Sequence, residues 1–98
     1  MVDLTNGLTN EDEPSTFLLI QRGIALREQG YAEASREALK EALRIRSRPA
    51  DLRNLALIER GKTYLAENKK AMARKDFERM MADSAGYPGL ADLIAATS

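Results

Sequence analysis

The sequence has 98 residues and contains no cysteine, no histidine and no tryptophan. Without thiols and imidazoles, the chain lacks disulfides, thiol nucleophiles, imidazole bases and the usual zinc ligands. Serine and threonine have no imidazole to activate them, and no glycine-rich phosphate loop or metal-ligand spacing occurs. We therefore predict that the protein is not an enzyme, with no catalytic residues, no metal site and no cofactor.

Long apolar runs are also missing. Runs of apolar residues reach four at most, as in 17–20, which is far too short to span a bilayer. The first fourteen residues, MVDLTNGLTNEDEP, contain neither a basic region nor the apolar core of a secretory signal. We therefore expect a cytoplasmic protein without a membrane partner.

Charge is balanced overall but uneven along the chain. The net charge is zero, yet four of the fifteen acidic residues lie in the first fourteen positions, where there is no Lys or Arg. The remaining residues hold 15 basic and 11 acidic side chains, a net charge of +4. We predict that residues 1–14 form a flexible acidic tail. The alternative is a tail that folds back on the basic body.

Apolar residues recur at helical spacing through the rest of the chain, and none of it alternates with the period of a strand. Ser15 is a predicted N-cap, and Gly30 and Asn68 are predicted left-handed helix ends. The chain is therefore predicted to be all-α. The predicted helices run from 16 to the glycine at 30, and over about 31–47, 49–67, 70–84 and 88–96.

One pentapeptide occurs twice in nearly the same form. LIQRG at 19–23 is followed by LIERG at 57–61, 38 residues later. The similarity extends through both units, since Gly30 corresponds to Asn68 and Leu39 to Phe77. Two helical hairpins, at about 15–48 and 49–85, are the economical interpretation, with a closing helix at about 88–96.

At these residues the chain resembles the tetratricopeptide repeat (TPR) family. The first helix of each unit carries a bulky residue, then a small one, then another bulky one. The second helix carries a small residue, then a bulky one, then a third residue that is small in the family. The matching sets are Leu19, Gly23, Leu26; Leu57, Gly61, Tyr64; Ser35, Leu39, Ala42; and Ala73, Phe77, Met80.

The resemblance covers about residues 16–88 and implies antiparallel hairpins stacked as a short right-handed superhelix, an α-solenoid, with the closing helix as its cap. Its period of 38 rather than about 34 predicts an extra helical turn near 49–53. The glycines are predicted to let the partner helix approach closely. Each glycine lowers helix stability by about 1 kcal/mol relative to alanine.

In the family, the first helices of successive units line a concave groove. The resemblance assigns that groove to Phe17, Ile20, Ile24, Arg27, Leu55, Ile58, Lys62 and Leu65. These positions are spaced to share one stripe of each helix, and we call them the groove face. We expect Ile20 and Ile58 to be core, and Phe17, Ile24, Arg27 and Lys62 to be exposed. The Lys and Asn with which some members clamp a peptide carboxylate are replaced by Ile20 and Ile24.

Two sets of basic residues need an interpretation. Arg22 and Arg60 recur before the glycines, and we expect ion pairs with Glu37, Glu41 or Glu78 rather than a phosphate or carboxylate ligand. Arg44, Arg46 and Arg48 alternate along a predicted helix and so point in different directions. A second cluster consists of Lys69, Lys70, Arg74, Lys75 and Arg79. Since no aromatic residues are interleaved, we predict solvated faces and no nucleic-acid partner.

These observations predict a protein-binding scaffold or adaptor that takes a peptide or helix in the groove. Two repeats are fewer than the three or so that a stable stack usually needs. The alternative is therefore a self-associating structural module, such as a homodimer, whose groove or hairpin ends form the interface.

Overall fold

A computed structural model describes residues 12–83 and 86–97. Within these residues the chain is helical and has no strand, which confirms the predicted all-α class. The helices are α1 (Glu13–Glu28), α2 (Ala32–Leu43), α3 (Ala50–Ala66), α4 (Lys70–Asp83) and α5 (Leu90–Ala95).

Helix α1 begins at Glu13, three residues before the predicted start. The carboxylate of Asp12, not Ser15, caps it by accepting a hydrogen bond from the Ser15 backbone N–H at 2.9 Å. Pro14 fits the first turn because the N–H it lacks would have no helical partner there. The predicted tail 1–14 therefore overlaps the helix, and its residues 1–11 lie outside the described part of the chain.

Helix α2 ends at Leu43, four residues before the predicted end. The guanidinium of Arg53 donates to the backbone carbonyls of Leu43 at 3.3 Å and Ile45 at 3.0 Å. These bonds satisfy carbonyls near a helix end, which otherwise lack partners. Pro49 also disfavours helical backbone at the residue before it.

The predicted extra turn of the longer repeat falls at the start of α3. Residues 50–53 form the first turn of this helix, which has 17 residues, whereas α1 has 16. The connection 44–49 has six residues, whereas the turns 29–31 and 67–69 within the hairpins have three.

Both hairpin turns use the predicted left-handed residues. Gly30 has φ 88° and Asn68 has φ 61°, which confirms their assignment as helix ends. The backbone N–H groups of the next residues, Tyr31 and Lys69, each reach back to a carbonyl five residues earlier at 2.8 Å. These equivalent bonds are typical of a Schellman motif.

The two mid-helix glycines make room for the second helix of each hairpin. A Cβ placed on Gly23 would lie 2.7 Å from Leu39 Cγ, and one placed on Gly61 would overlap the Phe77 ring. Leu39 and Phe77 are both fully buried. The predicted close approach is therefore confirmed in both hairpins.

Helix α3 is the central element, since it packs against α1, α2 and α4. Leu43 and Leu55 pack against both core clusters and join them. One cluster contains Leu19, Ile20, Leu39, Ala42 and Ala56. The other contains Leu57, Ile58, Tyr64, Ala73, Phe77, Met80 and Leu90, so α5 packs against the core that α3 and α4 share. No helix in the described part is long and apolar enough to cross a membrane.

Candidate functional site

The groove face is partly core and partly surface. Ile20 and Ile58 are buried, as expected, with 0% and 4% of their surface exposed. Phe17 is 46% exposed and Lys62 is also exposed. The other four residues, Ile24, Arg27, Leu55 and Leu65, are half-buried. Because much of their side-chain surface packs against the helices, the accessible part of the groove face is smaller than the predicted stripe.

Arg27 is half-buried, although it was expected to be exposed. Its Nη1 atom lies 2.9 Å from Glu59 Oε1 and donates to the Glu59 backbone carbonyl at 3.1 Å. The Arg27 and Glu59 side chains are only 17% and 10% exposed. Lys62 Nζ lies 3.8 Å from the other Glu59 oxygen. The positive charge of Arg27 is therefore neutralised within the protein.

Glu59 is a residue that the sequence reasoning missed, although one signal pointed to it. It is the residue that distinguishes LIERG from LIQRG, where Gln21 stands at the equivalent position. Gln21 is exposed on α1, whereas Glu59 faces Arg27 of α1 and is 7% exposed. The difference between the two pentapeptides thus marks the ion pair that joins the hairpins.

A cavity of about 390 Å³ lies beside α3 at the start of α5. It brings together two predicted residues, Ile58 and Lys62, with Tyr87, Pro88, Gly89, Asp92 and Leu93. Its walls are largely apolar, with Lys62 and Asp92 as charged groups. The sequence reasoning missed the contribution of 87–93 because a short closing segment has no periodicity that shows which helix it faces.

The remaining groove-face residues do not share this cavity. Ile20, Ile24 and Leu55 pack in the cluster around Leu39, and Leu65 packs against the cluster around Phe77. Phe17 belongs to neither cluster. The structure therefore places one exposed aromatic side chain on α1 and a separate cavity at α3.

The two recurring arginines differ in their surroundings. Arg60 makes a bidentate pair with Asp76, at 2.8 Å from Nε and 2.7 Å from Nη2, so its expected Glu partner is wrong. These hydrogen bonds raise the pKa of Arg60, although burial opposes the shift. Arg22 makes no hydrogen bond or ion pair with any residue in 12–83 or 86–97. Ala38 stands at the position equivalent to Asp76, which explains the difference.

A further ion pair, with an aromatic contact, joins the two hairpins. Arg36 of α2 lies 2.6 Å from the Glu67 carboxylate in the second turn, and its guanidinium lies 5.6 Å from the Tyr64 ring centroid. Hydrogen bonding to Glu67 raises the pKa of Arg36, while burial opposes it. This arrangement pairs the two opposite charges within the protein.

The basic residues that follow α2 are arranged differently from the prediction. Because α2 ends at Leu43, Arg44, Arg46 and Arg48 do not share a helix. The connection turns so that Arg44 and Arg46 line one cavity of about 670 Å³ together with Arg53 and Arg79. The expected divergence is therefore wrong for Arg44 and Arg46, whereas Arg48 donates to Thr16 Oγ1 at 2.9 Å. Sequence spacing could not reveal this arrangement because the connection is irregular.

Comparisons of this chain with protein-family models, with curated proteins and with solved structures find no match.

Proposed function

We propose that this protein is a non-catalytic protein-binding module, a scaffold or adaptor that binds a peptide or helix on its groove face. The observation that carries the proposal is the cavity beside α3, with its apolar walls and two charged groups, Lys62 and Asp92. Protein ligands are commonly held by apolar pockets with a few polar groups that fix orientation.

In this proposal the hairpins form a short right-handed TPR-like superhelix, with α5 as its cap. The support is the repetition of specific contacts at an interval of 38 residues. Gly23 and Leu39 in the first hairpin repeat as Gly61 and Phe77 in the second. Leu90 of α5 joins the core cluster around Phe77, where the first helix of another unit would otherwise pack.

The chemistry of the groove face favours a partner with an apolar anchor. Arg27 is neutralised by Glu59, and the cavity contributes one group of each sign, Lys62 and Asp92. Phe17 supplies exposed aromatic surface on the first helix. A peptide that places an apolar side chain in the cavity and contacts Phe17 would use both features, because apolar burial supplies most of the binding free energy.

Peptide selection with a matched pair of variants tests this proposal. A displayed random-peptide library is selected on the full chain, and the affinity of a recovered peptide is measured by fluorescence anisotropy. Phe17→Ser should weaken binding about tenfold or more, since an aromatic anchor can contribute more than about 1.4 kcal/mol. Lys62→Glu should also alter binding, since Lys62 lines the cavity.

Leu18→Ser is the matched control. Leu18 is 54% exposed on the same helix but lies about 100° around it from Phe17. Peptide affinity should stay within about twofold. If Leu18→Ser removes binding and Phe17→Ser does not, the groove face is not the site. Circular dichroism checks that both variants keep the helical content of the parent chain.

Self-association is the second candidate, and the outer face of α1 favours it. Leu18 is 54% exposed, while its equivalent in α3, Ala56, is fully buried against the preceding hairpin. Ala25 and Gln21 are exposed, whereas the equivalent Thr63 and Glu59 are buried. The outer face of α1 thus corresponds to a packed surface of α3, and a second copy of the chain could cover it.

A further inference from the structure

Helices α2 and α4 leave a gap above α3. They both pack against α3 but do not contact each other. Two adjoining cavities, of about 670 and 330 Å³, occupy the gap and share Arg46, Arg53 and Arg79. We call this gap the basic cleft. It lies on the side of α3 opposite the groove face, because Arg60 follows Ile58 by two residues, about 200° around the helix.

Positive charge predominates in the basic cleft. The larger cavity is lined by two acidic residues, Glu37 and Glu41, and by six basic ones. The basic residues are Lys40, Arg44, Arg46, Arg53, Arg60 and Arg79. The smaller cavity adds Arg48 and Asp83. Even if every acid is counted against a base, the cleft keeps an excess of positive charge.

Four of the arginines in the cleft are already engaged within the protein, and one of them, Arg48, donates to Thr16 Oγ1 at 2.9 Å. Arg60 pairs with Asp76, and Arg44 pairs with Glu41 at 2.8 Å. Arg53 donates to the backbone carbonyls of Leu43, the last residue of α2, and Ile45. These contacts hold the arginine side chains in place and leave their remaining N–H groups at the cleft.

Arg46 and Arg79 are different. Both are exposed, and neither forms a hydrogen bond or ion pair with another residue of the described part. They come from separate elements, the connection 44–49 and helix α4, yet line both cavities. Two unpaired guanidinium groups that face one trough are suited to carboxylates, which they can bind in a bidentate manner.

We infer that the basic cleft binds an acidic peptide segment, at a second site distinct from the groove face. Leu43, which is half-buried, also lines the larger cavity and offers apolar contact between the charged groups. A peptide that alternates acidic and apolar residues matches this combination of guanidinium groups and aliphatic surface.

The same lining disfavours a nucleic acid. None of the residues that line these two cavities is aromatic, whereas single-stranded nucleic acids are usually held by stacking on aromatic rings. Glu37, Glu41 and Asp83 would repel a continuous phosphate backbone. An acidic peptide can instead place its charges at Arg46 and Arg79 and leave the acidic walls without a facing anion.

A fluorescein-labelled peptide of alternating glutamate and leucine tests the inference by anisotropy on the full chain. We expect saturable binding that weakens as salt is raised from about 50 to about 300 mM. The peptide of alternating glutamine and leucine should not bind. Arg46→Ala with Arg79→Ala should weaken binding about tenfold, since two charge-assisted contacts are lost.

The matched control is Lys70→Ala with Arg74→Ala, which removes the same charge from exposed positions of α4 outside the cavities. Its affinity for the glutamate peptide should stay within about twofold. Equal weakening in both double variants would mean that only net charge matters, and would overturn the inference. Tighter binding of an oligothymidine probe than of the peptide, or no saturable binding, would overturn it as well.

Discussion

Arg22 and Arg60 occupy equivalent positions, but among the described residues only Arg60 has a carboxylate partner. The effect of this difference on stability can be measured. Asp76 is 4% exposed, so Asp76→Ala leaves the partly buried Arg60 guanidinium without its counter-ion. Breaking a buried pair in this way costs on the order of 3 kcal/mol. We expect the free energy of unfolding in urea to fall by about that amount.

Arg22→Ala provides the control for the Asp76 variant. Because Arg22 has no ion-pair partner in the described part of the chain, its loss should change the free energy of unfolding by less than about 0.5 kcal/mol. A comparable loss from both substitutions would show that the arginines stabilise the fold through their aliphatic stems and not through Asp76.

Gly23 and Gly61 give a second prediction at the residue scale. Alanine is normally the better helix former, by about 1 kcal/mol, but its methyl group would meet Leu39 or Phe77. Since overpacking costs about 1–3 kcal/mol, we expect Gly23→Ala and Gly61→Ala to lower the urea midpoint. Gly86→Ala should leave the midpoint unchanged, because nothing lies within 4 Å of a Cβ placed on Gly86. A higher midpoint for Gly23→Ala would contradict the close-approach argument.

At the scale of elements, the two hairpin turns differ in how well their residues suit a left-handed conformation. Asn68 has φ 61°, in the region where glycine carries no steric penalty. We expect Asn68→Gly to raise the free energy of unfolding by a few tenths of a kcal/mol, and Gly30→Ala to lower it by about 1 kcal/mol. Thermal unfolding followed by circular dichroism measures both. If Asn68→Gly lowered the free energy of unfolding and Gly30→Ala raised it, these turns would not limit hairpin stability.

The start of α1 should make stability depend on pH. Hydrogen bonding to the side chain and backbone of Ser15 lowers the pKa of Asp12. A carboxyl group with a lower pKa in the folded state stabilises the fold above its unfolded-state pKa, and this contribution disappears as the pH falls through the folded-state pKa. We expect Asp12→Ala to be less stable than the parent at neutral pH.

Below the pKa of Asp12 the parent and Asp12→Ala should converge in their unfolding midpoints, since the protonated carboxyl no longer favours the charged cap. Unfolding in urea at a series of pH values measures the difference. Asp12→Asn serves as the control, because its amide oxygen can still cap the helix without titrating. A stability difference between parent and Asp12→Ala that is independent of pH would exclude a contribution from this charge.

At the scale of the whole molecule, the outer face of α1 decides between the two proposed functions. If the groove face binds other proteins and the outer face is simply solvated, light scattering should give a mass near 10.9 kDa across a hundredfold range of concentration. A dimer that persists on dilution and dissociates in Leu18→Ser would favour self-association, because Leu18 is the largest exposed apolar residue on that face.

The sequence by itself determined the helical class, the turns and the internal repeat. Apolar spacing, Gly30, Asn68 and the recurring glycines depend on local conformation and short-range packing, which neighbouring residues control. The burial of Ile20 and Ile58 was also expected from the sequence. Helix ends were less predictable, because α2 stops where a distant side chain, Arg53, takes its carbonyls.

Only the tertiary structure decided which side chains meet across helices. Arg27 pairs with Glu59, Arg60 pairs with Asp76, and Arg46 and Arg79 line one cleft. The Arg60–Asp76 pair depends on the orientation of α3 against α4, and the other two arrangements depend also on the irregular connection 44–49. Neither helix orientation nor this connection has a period in the sequence. The exposed charges that a partner could use are those left after these long-range pairs form, because a paired guanidinium has little further attraction for an anion.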